Sequence, residues 1–145
     1  IPSYNSAVSP DLSLDGVVHV AEFRAALRVF LRRSERIARA CGLTPQRYLL
    51  LLMIKGAPNG SEQSTVTELA ERLQLAQSTV TELVARAEET GLIDRETSPA
   101  DGRVAYLRLT AEGERRLARA FTDLESERQD LLEAFQHLEV LNPVS

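Results

Sequence analysis

Residues 65–110, TVTELAERLQLAQSTVTELVARAEETGLIDRETSPADGRVAYLRLT, constrain the fold more than any other stretch. Thr65-Val66-Thr67-Glu68 has the spacing of a capping box, in which the Thr65 hydroxyl accepts from the Glu68 amide and the Glu68 carboxylate reaches back. Val66, Leu69, Ala70 and Leu73 then recur every three or four residues and form one apolar stripe. A second stripe follows at Val80, Leu83, Val84 and Ala87. The intervening Leu73-Gln74-Leu75-Ala76 is too short for a free loop, so the two helices must cross steeply, as in a helix-turn-helix.

With the second helix over residues 77–89, its stripe leaves Gln77, Ser78, Thr79, Thr81, Glu82 and Arg86 facing away from the core or on its shoulders. Small hydroxyl and amide side chains of this kind suit a groove. Gly91 caps the helix C-terminus. Residues 92–97 and 103–109 flank Ser98-Pro99-Ala100-Asp101-Gly102, where Asp-Gly close to Pro marks a turn between two strands. Ala105, Leu107 and Leu109 alternate with Val104, Tyr106 and Arg108, so one face of the second strand packs inward.

ELAERLQLAQSTVTELVARAEETGLIDR, then Asp101-Gly102-Arg103, then LT-AEG opening the next helix, together resemble the winged helix-turn-helix of the MarR family of transcriptional regulators. In weaker form the similarity of element order runs from about residue 14 to about residue 141. It implies a mainly α fold with a small β-hairpin wing, a winged helix-turn-helix flanked by terminal dimerisation helices. It also implies a homodimer on a pseudo-palindromic double-stranded DNA operator, acting as a repressor. The expected interface comprises Gln77, Ser78, Thr79, Thr81, Glu82, Arg86, Arg95, Asp101 and Arg103. In the family the wing Arg enters the minor groove and the wing Asp holds it; a narrow groove concentrates the negative potential that attracts Arg. Three positions depart from the family pattern: Ala76 where a capping Ser is usual, Gln74 where Gly is common, and Glu82 where a basic residue is frequent. Glu82 either accepts from a cytosine or repels phosphate.

The same resemblance implies a crevice for a small aromatic or phenolic ligand, with Phe23, Arg24, Arg47, Tyr48 and Phe121 as candidate lining. Ordinary core and surface roles fit these five residues equally well. The rival reading of the whole chain is a winged-helix protein-interaction module with weak or no DNA binding.

Charge favours that rival. The net charge is -4 and the pI near 5.3, whereas phosphate neutralisation needs clustered Lys and Arg, so any DNA binding must use local charge. Aromatic residues are only 5% with no Trp, which argues against stacking on single strands and leaves duplex as the nucleic acid to consider. A single cysteine excludes an intramolecular disulfide or a multi-Cys metal site and is compatible with a reducing cytoplasm. No apolar run approaches the roughly 18 residues of a membrane helix, and no charged-then-apolar signal opens the chain. No nucleophile motif, phosphate loop or triad spacing is present, so neither an enzyme nor a cofactor is expected.

Around the central motif, residues 1–13 read as an N-terminal arm, residues 14–43 and 111–145 as a helical dimerisation region, and residues 44–110 as the DNA-binding region. Val20, Phe23, Leu27, Phe30, Leu31, Ile37 and Ala38 give a long Arg-rich first helix that Gly42 ends. Thr44 caps the next helix, with Pro45 at its first position. Residues 49–54, LLLLMI, are apolar on every side and are expected to be covered all round. Thr110 caps one long final helix with Leu117, Phe121, Leu124, Leu131, Leu132, Phe135 and Leu138 on its stripe. That stripe and the first helix's have no partner within the winged region, so the termini are expected to pack together and on a second protomer. Cys41 extends the first helix's stripe, the place of a packed and inert thiol; in oxidant-sensing relatives the reactive cysteine lies near that helix's start. His19 and His137, which dimerisation would bring together, lack the further ligands of a zinc motif and read as surface or interface residues.

Overall fold

The computed structural model describes residues 13–141; residues 1–12, nearly all of the expected arm, lie outside the described residues. The elements in chain order are α1 (Leu14–Ala40), α2 (Pro45–Lys55), α3 (Val66–Leu73), α4 (Gln77–Glu89), β1 (Ile93–Thr97), β2 (Ala105–Leu109), α5 (Ala111–Asp123) and α6 (Glu125–Leu141). They form two compact units, one of residues 34–123 and the other of residues 13–33 together with residues 124–141. The end of α1 and all of α5 are thus grouped with the winged motif.

Local chemistry sets the joints of the winged unit. The Thr44 hydroxyl accepts from the Arg47 amide at 3.1 Å, with Pro45 opening α2. Thr65 and Glu68 complete their capping box at 3.2 and 2.9 Å. Gly91, at φ +75°, closes α4, and the Leu92 amide reaches back to the Ala87 carbonyl at 2.9 Å. Such a left-handed residue satisfies carbonyls that a helix end leaves orphaned. At the helix-turn-helix joint Gln74 occupies the same conformation, at φ +56°, and the Leu75 amide bonds to the Ala70 carbonyl at 3.1 Å. A non-glycine residue bears the steric cost there, offset in part by the Gln74 side-chain amide donating to the Glu71 carbonyl at 2.7 Å.

The core of this unit gathers Leu50, Leu51, Ile54, Leu69, Val80, Val84 and Leu107, all fully buried. Each such side chain contributes about 1.5–3 kcal/mol by leaving water. Strands β1 and β2 pair antiparallel with Ile93 opposite Leu109 and Thr97 opposite Ala105. On its other edge β2 meets Ser64, which exchanges two backbone hydrogen bonds with Leu107 at 2.8 and 3.2 Å. Thr110 accepts from the Gly113 amide at 3.1 Å and donates to the Gly91 carbonyl, so one hydroxyl caps α5 and ties it to the end of α4. A Cβ at Gly113 would collide with the Leu92 carbonyl, which explains the glycine in LT-AEG.

Two expectations need correction. Helix α2 is not covered all round in this chain: Leu49 is 40% exposed and Leu52 and Met53 are half-buried, because α3, α4, α5 and β2 pack on only part of its circumference. The final helix is not continuous either. It breaks at Leu124, which is buried, and α6 restarts with the Arg128 amide bonding to the Leu124 carbonyl at 2.9 Å.

In the other unit the beginning of α1, capped by the Ser13 hydroxyl, runs against α6 in antiparallel fashion. His19 stacks on His137 with ring centroids 5.6 Å apart, Phe23 meets the edge of Phe135 at 5.9 Å, and Arg33 lies 3.8 Å from Glu127. The histidines therefore meet within one protomer and need no partner chain to do so. Between the helices lies an open recess of about 500 Å³ lined by Phe23, Phe30, Leu131, Leu132 and Phe135. Among the described residues, only Leu124 of this unit is buried.

Candidate nucleic-acid interface

Helix α4 buries Val80, Val84 and Ala87 and exposes Gln77, Ser78, Thr81, Glu82 and Arg86, while Thr79 is half-buried on the shoulder. The apolar spacing thus aims the polar face outward as a set. Ala76 supplies no side-chain cap, so the first amides of α4 have no side-chain acceptor. Uncapped amides at a helix N-terminus are donors to an anionic oxygen. Two side chains are already engaged: the Gln77 amide donates to the Thr67 hydroxyl at 3.3 Å, and the Thr81 hydroxyl donates to the Gln77 carbonyl at 2.9 Å. With its proton so used, Thr81 offers a base edge its lone pairs and its methyl group.

The wing tip is ordered by short polar contacts. The Ser98 hydroxyl accepts from the Ala100 and Asp101 amides at 3.3 and 3.4 Å, and the Asp101 carboxylate accepts from the Arg103 amide at 3.0 Å. The same carboxylate oxygen lies 3.4 Å from Arg103 Nε, while the Arg103 side chain is 92% exposed. The result is a cation steadied at its base and free at its head. Arg95 differs: its guanidinium bonds the Glu88 carboxylate at 2.9 Å, tying β1 to α4 and removing part of its positive field.

Residue typing alone did not flag Thr67 or Arg108. Thr67 is exposed on α3 and holds Gln77, and Arg108 is exposed on β2, where its guanidinium donates to the Gln63 side chain at 3.3 Å. For Arg108 the available signal was its place on the outward side of an alternating strand; for Thr67 there was none.

The five candidate effector residues are not gathered in one unit. Phe23 and Arg24 belong to the helical unit, where Phe23 packs on Phe135, and Arg47, Tyr48 and Phe121 to the winged unit. There Tyr48 is buried at 6% exposure and Phe121 is 48% exposed. Among the described residues no cluster of three or more His, Cys, Asp or Glu side chains is arranged to hold a metal ion, and no helix is long and apolar enough to cross a membrane.

Two crossed helices, an outward polar face on the second, and a hairpin wing with a cation at its tip define a winged helix-turn-helix protein. A sequence model of the MarR family matches residues 42–104. The chain is 29% identical over 126 residues to the uncharacterised HTH-type transcriptional regulator YsmB of Bacillus subtilis, covering 84% of each chain. It is 41% identical over 78 residues to the transcriptional regulator HosA of Escherichia coli O111:H-, covering 54% of this chain and 55% of HosA, about half that relative's length. Among solved structures it resembles Sco3205, a MarR family transcriptional regulator from Streptomyces coelicolor in complex with DNA, at 25% identity and a TM-score of 0.65, covering 87% of this chain and 79% of Sco3205. The winged helix-turn-helix of this chain is that of the MarR family of transcriptional regulators.

Proposed function

We propose that this chain is one protomer of a homodimeric regulator that binds a pseudo-palindromic duplex operator, represses transcription in the cytoplasm and has no enzymatic activity. The observation that carries DNA recognition is the wing tip, where Asp101 steadies Arg103 and leaves its guanidinium 92% exposed. A long cation on a rigid hairpin suits insertion into a minor groove. Helix α4 lies in the major groove in this reading: Ser78, Thr79 and Thr81 meet base edges, Gln77 and the uncapped amides meet phosphate, Glu82 meets a cytosine amine, and Arg86 and Arg95 add backbone charge.

Dimerisation rests on the helical unit. Val17, Val18, Val20, Val29, Leu31, Leu132 and Phe135 are all at least 43% exposed, an apolar surface that a second copy would cover. Sedimentation at micromolar concentration should give a dimer. Hydroxyl-radical footprinting on a bound duplex should then give two symmetric sets of protections, each with a minor-groove segment that reappears as exposed in Arg103→Ala. A folded monomer, or a footprint unaltered by that substitution, would contradict the reading. Release by a small aromatic or phenolic ligand is part of the proposal and is read by titrating benzoate into the same complex.

The second reading, a protein-contact module, draws on exposed Glu82 and on the Glu88 carboxylate that occupies Arg95. It predicts no footprint at low salt.

A further inference from the structure

The winged unit holds a second concentration of positive charge, on α5. Arg119 lies four residues after Arg115 and three after Arg116, so it neighbours both on the helix surface. With Cys41, Gly42 and Glu112 they line an open recess of about 370 Å³. Arg116 forms its fixed floor, donating to the Gly42 carbonyl at 2.9 Å and to the Glu112 carboxylate at 2.8 Å. Gly42 is shaped for this contact: it sits at φ +76°, and a Cβ there would meet the Arg116 guanidinium at 2.8 Å.

The recess is short of anions. Arg115 shares the Glu112 carboxylate with Arg116, and the hydrogen bond from Arg116, then that from Arg115, holds the Glu112 carboxyl below the usual range. The Arg119 side chain has neither a hydrogen bond nor an ion pair among the described residues, although its field reaches the Cys41 thiol. Three guanidiniums against one carboxylate leave a surplus of two positive charges in the lining, on a chain whose net charge is -4. Counting Asp123, which also acts on Cys41, the surplus is still one. An arginine cluster serving only to hold α5 on the α1–α2 turn needs Arg116 alone.

We propose that this recess is a binding site for a small oxyanion of carboxylate or phosphate chemistry, held by Arg119 and Arg115 above the Arg116 floor. Guanidinium groups match such planar or tetrahedral oxygens with paired donors. Cys41, 7% exposed in the wall, would lose its remaining access when the site fills. The proposal concerns the winged unit alone and does not depend on DNA binding.

The test is a titration of the full chain, without DNA, by inorganic phosphate and separately by succinate. Chloride keeps ionic strength constant, and the arginine Nε–H resonances are followed by NMR. Saturable shifts are expected at Arg115 and Arg119 and not at Arg103, together with slower labelling of Cys41 by a neutral maleimide. Arg119→Gln, which removes an exposed and unpaired side chain, should fold normally and weaken binding about tenfold, the equivalent of one charged hydrogen bond. Arg115→Gln should weaken it as well. Saturation by one probe only assigns the site to that probe's chemistry. Drift that fails to saturate, equal shifts at Arg103, or unchanged affinity in Arg119→Gln would overturn the proposal.

Discussion

Removing the Arg103 side chain separates DNA contact from folding more cleanly than any other change in the winged unit. The side chain is 92% exposed, and among the described residues its one side-chain partner is Asp101 at 3.4 Å. What orders the turn survives truncation, because the Arg103 amide still bonds Asp101 and the Ser98 hydroxyl still accepts two amides. Arg103→Ala should therefore change stability by no more than about 0.5 kcal/mol, as surface substitutions do. Loss of a groove-inserted Arg should cost about 1–3 kcal/mol of operator affinity per wing, roughly 5- to 150-fold, and reduce the salt slope by about one. Fluorescence anisotropy with a labelled duplex over a series of KCl concentrations reads both, and a urea melt reads folding. Unchanged affinity and slope in a folded variant would refute the minor-groove role.

Further substitutions, and a change of pH, probe the recognition helix, the core of the winged unit, the thiol and the exposed ion pairs. Glu82→Lys should tighten binding to all duplexes if the carboxylate repels phosphate, or relax preference at one position if it reads a cytosine, whereas Ser78→Ala and Thr81→Ala should shift sequence preference; binding-site selection separates these outcomes. Gly113→Ala should destabilise the winged unit by about 1–3 kcal/mol in a urea melt, since the new methyl group meets the Leu92 carbonyl. Burial pushes the Cys41 thiol up, with Asp123 adding to the rise and Arg119 opposing it, so a neutral maleimide should label it slowly and Cys41→Ser should leave DNA affinity and its response to peroxide unchanged. Lys55 holds the Glu62 carboxyl down, and Arg116 and Arg115 hold that of Glu112 down. Carboxyls depressed in the folded state contribute stability above their unfolded pKa and lose it as pH falls through the folded one. Urea midpoints should therefore drop on acidification through that window, and less steeply in Glu62→Gln.

The winged motif was legible because its signals are local. The capping box, the stripes three and four residues apart, and the Asp-Gly turn each act within a few residues, and each appears where the sequence puts it. Contacts made across the chain were harder to read. Nothing marks Leu124 as a break, since it continues the apolar stripe and neither Gly nor Pro adjoins it. The Ser64 bridge to Leu107 and the His19–His137 stack join residues far apart in sequence, which periodicity does not pair. The apolar run at residues 49–54 gave burial without saying what supplies it, and this chain covers only part of that helix. At the interface, exposure of the α4 face followed from its stripe, but the engagement of Arg95 by Glu88 and of Thr81 by its own helix depends on side-chain positions a pattern does not contain.

Selection of bound duplexes from random DNA by the purified protein, repeated across salt concentrations, tests the central claim most directly. Enrichment of a dyad-symmetric sequence with half-sites about one helical turn apart, and an affinity whose logarithm falls linearly with the logarithm of salt, is the predicted result. Recovery of no preferred sequence, with no duplex retained even at low salt, would contradict it.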